Sequence, residues 1–140
     1  MADISMSTAE REAFLADLHV GILSIAREGK GPLALPIWYL VEDGDVVIGM
    51  DGDSVKAKLL RRAGRATMTV QTEAPPYKYV MVEGPVRIAA EQRDDAEMAT
   101  RYLGPELGRW YAETNPSTER SVVVRLTPEQ WLTGDFSKGI

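Results

Sequence analysis

The sequence predicts a mainly β fold of the α+β kind, a six-stranded antiparallel barrel with short flanking helices that occupies residues 1–140 as a single domain. Three observations lead there. Segments rich in β-branched and aliphatic residues are joined by hairpin-length turns, whereas parallel strands need crossovers of about a dozen residues. Helical periodicity is confined to three places. The chain has 140 residues, 44% hydrophobic and 26% charged, a balance that suits one core in one ordinary domain.

Ser7 or Thr8 followed by Glu10 and Glu12 reads as a capped helix start, and Phe14, Leu15 and Leu18 then share a side, which predicts a helix over residues 8–18. A strand follows over 19–27, and the turn Glu28-Gly29-Lys30-Gly31 sends a second back over 33–41. Glu42-Asp43-Gly44-Asp45 is the next turn and 46–50 the third strand. Asp51-Gly52-Asp53-Ser54 interrupts the strands. Val55, Leu59, Leu60 and Ala63 then make the apolar stripe of a short helix stopped by Gly64. Residues 66–72 read as a strand and Pro75-Pro76 as a break. Residues 77–90 form a long strand with a bulge expected at Gly84-Pro85. Two helices, 94–103 and 105–114, are divided at Gly104-Pro105, and 121–126 is the last strong strand before the Trp131 region.

Composition removes several classes of function. A net charge of -5 offers phosphate backbones no general attraction, so nucleic acid is not an expected partner. With no cysteine and a single histidine, thiolate zinc sites, iron–sulfur clusters, thiol nucleophiles and multi-histidine metal centres are all out of reach of one chain, and no metal is expected. Redox chemistry would have to come from an organic cofactor. No window approaches the roughly 20 apolar residues of a membrane span, and the expected location is the cytoplasm. His19 starts a strand with no nucleophile motif near it, which suits packing or capping better than catalysis and makes a poor haem ligand. Asp94, Asp95 and Glu97 read as acidic residues favouring a helix N-terminus. Trp110 and Tyr111 read as core or interface aromatics, with the wall of a substrate pocket as the other reading.

The constellation with chemistry in it is the helix at 54–63. It follows a strand and a glycine-containing turn, so its first-turn N–H groups and the positive end of its dipole suit an anion. Lys56 and Lys58, with Ser54 as a hydroxyl donor and Arg61 or Arg62 further along, can cradle a phosphate. The competing reading is a solvated basic face.

Three segments carry a family resemblance: Gly31-Pro32-Leu33-Ala34-Leu35-Pro36-Ile37-Trp38-Tyr39, then Lys56-Ala57-Lys58-Leu59-Leu60-Arg61-Arg62, then Tyr77-Lys78-Tyr79-Val80-Met81-Val82-Glu83-Gly84. In this order they resemble the pyridoxamine-5'-phosphate-oxidase-like split β-barrel superfamily, over about residues 8–126. The tyrosine-rich third segment is similar to the B branch of its actinobacterial flavin/deazaflavin oxidoreductases, which use coenzyme F420. Two departures stand out: Lys30-Gly31-Pro32 lengthens the first turn, and Leu59 replaces an asparagine often found beside the second basic position.

The resemblance implies a cofactor, coenzyme F420 or alternatively FMN, with its phosphate on Lys56 and Lys58 and, as weaker matches, on Arg61 and Arg62. It places Leu35, Pro36, Ile37 and Trp38 along the ring, Met50, Asp51 and Ser54 beside the ribityl chain, and Gln71 as a polar contact from the next strand. Gln71 reads equally as an outward side chain of a half-buried strand. Tyr77, Lys78 and Tyr79 are implied to reach the cofactor across the interface of a homodimer. The implied activity is a reductase passing a hydride to a conjugated small molecule, the alternatives being an FMN-binding relative or a protein that carries F420 without turnover. No side chain is identified as a catalytic acid or base.

Overall fold

Ser7 closes a capping box with Glu10: the Ser7 hydroxyl accepts the Glu10 N–H, and the Glu10 carboxylate accepts the Ser7 N–H. This starts helix α1 (Thr8–Ala16) in a computed structural model that describes residues 3–93 and 95–140. Strands β1 (Gly21–Arg27) and β2 (Lys30–Ile37) form the first hairpin, followed by β3 (Leu40–Glu42) and β4 (Asp45–Asp51). Helix α2 (Val55–Ala63) leads to β5 (Arg65–Gln71) and the long β6 (Lys78–Ala90). Helix α3 (Ala96–Thr114), β7 (Ser121–Leu126), β8 (Gln130–Asp135) and a 3-10 turn (Phe136–Gly139) complete the chain.

All strand pairs are antiparallel, in the order β2-β1-β5-β6-β7-β4-β3, with β8 also on β6. Strand β6 is the spine of this antiparallel split barrel. Its first part pairs with β5 and β8, from Lys78 to Pro85, and its second part, from Val86 to Ala90, pairs with β7. Alternation of side chains fills the space between the two halves: Met68 and Val70 from β5, Val80 and Val82 from β6, Val46 and Ile48 from β4, and Val124 and Leu126 from β7 are all buried, with Leu60 of α2 among them.

Eight strands stand where six were expected, for two reasons. The apolar run 33–41 is broken at Trp38 and Tyr39, which leave the ladder to meet α3. The Trp131 region pairs in full with β6, its short alternation being too weak a signal to read alone. The bulge expected at Gly84-Pro85 is absent: the β5–β6 register runs unbroken through both residues, and the strand changes partners there instead. The irregularity falls in the first hairpin, between Ile25 and Arg27. Within α3, Gly104 is non-helical (φ 84°, ψ 173°), which gives the expected division into two helices. Asp94, expected to open the first of them, lies outside the described residues.

The N-terminal segment is clipped to the end of β8. Met6 N–H donates to Thr133 Oγ1 at 2.9 Å, Asp135 N–H to the Ile4 carbonyl at 2.7 Å, and Lys138 Nζ to Glu10 Oε1 at 2.7 Å. The Lys138 hydrogen bond, then those from Ser7, hold the Glu10 carboxyl down at about 2. A depressed folded-state pKa contributes stability above the ordinary value of 4.5, and that contribution is lost as pH falls toward about 2. Lys138→Met is therefore expected to melt slightly below wild type at neutral pH. The gap should close across this acid window, and a gap independent of pH would contradict the assignment.

Candidate functional site

On the outer side of β4 and β7 the pleat turns Val47, Gly49 and Val123 away from the core. The first half of α3 and residues 115–118 stand over them. Between lies a groove of about 620 Å³, lined by Pro36, Ile37 and Trp38 at the end of β2, by Met50 and Asp51 at the end of β4, and by Lys56. Met98, Tyr111, Asn115, Ser117 and Thr118 line the opposite side. Its volume is that of an ordinary small-molecule site.

The turn between β4 and α2 sets the polar end. Gly52 N–H donates to the Arg120 carbonyl at 2.7 Å, and a β-carbon at Gly52 would lie 2.8 Å from that same oxygen, so the turn is pressed against the start of β7. Asp51 accepts the Asp53 N–H at 2.7 Å and Arg120 Nε at 3.2 Å, and these bonds, the backbone one first, lower its pKa. Ser54 caps α2 by accepting the Ala57 N–H at 3.2 Å, and Gly64 ends it in the left-handed region. Arg61 donates to the Gly52 carbonyl at 2.7 Å and so braces the turn. Lys56, in the first turn of α2, is half-buried in the groove wall and makes no ion pair among the described residues. Lys58 is exposed and outside the groove, because two residues carry it about 200° around the helix.

Two other charged residues in the groove, Arg93 and Glu91, are tied up in ion pairs. Arg93 makes a two-pronged bond to Glu42 at 2.9 and 2.8 Å, which lowers the Glu42 pKa and raises that of Arg93. Glu91 pairs with Arg125 at 3.4 Å. Trp38 stacks flat on Tyr102, with ring centroids 5.0 Å apart and planes 3° from parallel, and meets Tyr111 at 5.1 Å and 52°. Next to it Tyr39 is fully buried, and burial, then the neighbouring Tyr102, push its hydroxyl well above the usual tyrosine range. Residues 7–134 match the family model described as pyridoxamine 5'-phosphate oxidase. The chain belongs to this family.

Solved structures agree on the fold. A conserved hypothetical protein from Mycobacterium tuberculosis is 26% identical with a TM-score of 0.80, the match covering 100% of this chain and 92% of that one. A protein described as an F420 reductase is 20% identical (TM-score 0.68, covering 86% of this chain and 94% of that one). A FAD-binding protein from Mesorhizobium loti is also 20% identical (TM-score 0.66, covering 92% and 94%). No curated protein sequence matches the chain. Among the described residues no helix is long and apolar enough to cross a membrane, and no group of His, Cys, Asp or Glu is placed to hold a metal.

Of the residues singled out from the sequence, this member of the pyridoxamine 5'-phosphate oxidase family brings together Pro36, Ile37, Trp38, Met50, Asp51 and Lys56. Ser54 and Arg61 organise the adjoining turn. Leu35 pairs with Leu23 inside the first hairpin and does not line the groove. Gln71 and Tyr79 face each other on β5 and β6, and Tyr77 and Lys78 precede them. At ~4.8 Å per strand, this cluster lies two or more strands from β2. Tyr79 has a packing task there, since its ring lies over Gly134, where no β-carbon could fit. His19 stacks on Phe14 at 4.4 Å, and Trp110 is 59% exposed, facing neither core nor groove. Sequence reasoning did not find Tyr102, the Arg93–Glu42 pair or the polar run Asn115, Ser117 and Thr118. Only the last had a local signal, as hydroxyl and amide groups between a helix end and a strand.

Proposed function

We propose that the chain is an oxidoreductase using coenzyme F420 in preference to FMN, which reduces a conjugated small molecule. The observation that carries this reading is the convergence of Pro36, Ile37, Trp38, Met50, Asp51 and Lys56 on one groove, at the positions implied by the resemblance. The residues fit such a cofactor. The apolar strand end suits a planar ring, and Lys56 at the dipole-positive end of α2 suits a phosphate. When bound, the cofactor supplies the hydride transfer. The chain binds it, orients it and limits water with Trp38, Tyr111 and the 115–118 segment. Asp51, Glu91 and Arg93 are held in ion pairs, which suits chemistry needing no side-chain acid or base, and suits equally a carrier that holds the cofactor without turnover.

A second copy of the chain belongs to this reading. Register aligns Pro36, Ile22, Thr69, Met81 and Leu132 in one row across the outer face of β2-β1-β5-β6-β8, with Ile22 39% and Leu132 56% exposed. A row this largely apolar, with Thr69 its one hydroxyl, calls for a cover, and a self-complementary one gives a homodimer. The partner's Tyr77, Lys78, Tyr79 and Gln71 would then complete the site, with Lys58 outside the direct phosphate contact.

Fluorescence titrations of the purified chain with F420 and with FMN, alongside light scattering at micromolar concentration, test both parts. Tighter F420 binding by a dimer is expected. Stoichiometric FMN with no F420 binding would reverse the cofactor order, a monomer would remove the shared site, and tight F420 binding without turnover of any conjugated acceptor would favour the carrier.

A further inference from the structure

We propose that Tyr102 is the positioning residue of the groove, holding Trp38 in place as its wall; the inference rests on the reading of this groove as the cofactor site. Trp38 and Tyr39 form the corner between β2 and β3 and belong to neither ladder, so the sheet does not fix them. Something else must. Tyr39 turns inward, its hydroxyl donating to the Leu15 carbonyl, and successive side chains in extended chain point to opposite sides, which sends Trp38 to the groove.

Tyr102 holds the corner with two separate groups. Its ring supplies the flat partner for Trp38. Its hydroxyl accepts the Tyr39 N–H at 3.2 Å and donates to the His19 carbonyl at 2.6 Å, using the donor and acceptor capacity of one oxygen to join the β2–β3 corner to the segment before β1. Tyr102 is itself anchored, because the neighbouring Arg101 donates to the Ala16 and Asp17 carbonyls at 2.8 and 2.9 Å. Tyr102 does not line the groove, so it acts on a ligand through Trp38. Removing the hydroxyl leaves the N–H of a fully buried residue without its partner, and the corner must move to recover one.

Tyr102→Phe keeps the stack and removes the hydroxyl, and Tyr102→Leu removes both. The chain has three tryptophans, so fluorotryptophan labelling gives three fluorine resonances, with the Trp38 line assigned by Trp38→Phe. In Tyr102→Phe the Trp38 line is expected to shift or broaden while the Trp131 line stays, and the dissociation constant for F420 or FMN should rise roughly 5- to 30-fold, more in Tyr102→Leu. A purely structural role would lower the melting temperature and leave both readings unchanged when measured well below it. Affinity within twofold of wild type in Tyr102→Phe overturns the proposal, whether or not the Trp38 line moves. Should wild type bind neither cofactor, the cofactor reading fails by itself, and the Trp38 line alone then decides whether Tyr102 positions that ring.

Discussion

Lys56→Ala is expected to weaken cofactor binding by about 10- to 150-fold, the range for losing a charge-assisted hydrogen bond. Half-burial in the groove wall keeps part of the contact from solvent screening, while its open side argues for the lower part of that range. No ion pair among the described residues competes for the ammonium, so its charge is available to an anion without first breaking a bond. The fold should be unaffected, because the buried side of α2 is Ala57 and Leu60. A fluorescence titration of the variant, with its melting temperature measured without cofactor, separates the two effects. Binding within twofold of wild type would reduce the basic helix to a solubilising surface.

Helix geometry makes the comparison with the other cations informative. Lys58→Ala should cost only a few-fold, since its charge reaches the groove through solvent rather than by contact. Arg61→Ala should act differently again. Its bond to the Gly52 carbonyl braces the turn that presents Asp51 and Ser54, so both stability and affinity should fall together. Equal losses at Lys56 and Lys58 would place the phosphate on the axis of α2 rather than at its groove side.

Where local chemistry decides an element, the sequence announced it. Ser7 with Glu10, and Ser54 with Gly64, are caps whose residue types have little other reason to stand at that spacing, and both helices start or stop there. The two-residue alternation of β5 and the turn glycines likewise needed no tertiary information. Residues 33–41 are the opposite case. Only Pro36 punctuates the run between Leu33 and Val41, and it lies inside β2, paired with Ile22, whereas the ladder breaks at Trp38 and Tyr39, where Tyr102, more than sixty positions away, meets the chain with its ring and its hydroxyl. The site divided in the same way. The strand end and Lys56 were legible because they are consecutive or nearly so, whereas the angular position of Lys58, the ion pairs around Arg93 and the side chains facing the strand end depend on how α2 and α3 dock against the barrel.

Gly84→Ala is expected to destabilise the chain by about 3 kcal/mol or more, lowering the melting temperature by roughly 10 °C. A β-carbon at this position would stand 1.8 Å from the Thr127 carbonyl oxygen, 3.0 Å from its carbon and 3.2 Å from the Glu129 nitrogen, all of them backbone atoms. They cannot swing aside as a side chain would. The segment between β7 and β8 crosses β6 here and is fixed on both flanks, by Thr127 N–H to the Pro85 carbonyl at 3.0 Å and Glu129 N–H to the Glu83 carbonyl at 2.9 Å. Making room for a methyl group therefore breaks one of these bonds or displaces β6 where it passes from β5 and β8 to β7. Gly31→Ala is the control, because no atom beyond its chain neighbours lies within 4 Å of its β-carbon position and its φ is outside the left-handed region, and it should change stability by less than about 0.5 kcal/mol. Thermal melts of the two variants without cofactor decide the matter. If Gly84→Ala melts with Gly31→Ala and wild type, the crossing is looser than these distances require. If it unfolds early or fails to fold while Gly31→Ala behaves as wild type, the close approach at Gly84 is what joins the two halves of the barrel, and with them β7, whose Val123 forms part of the groove floor.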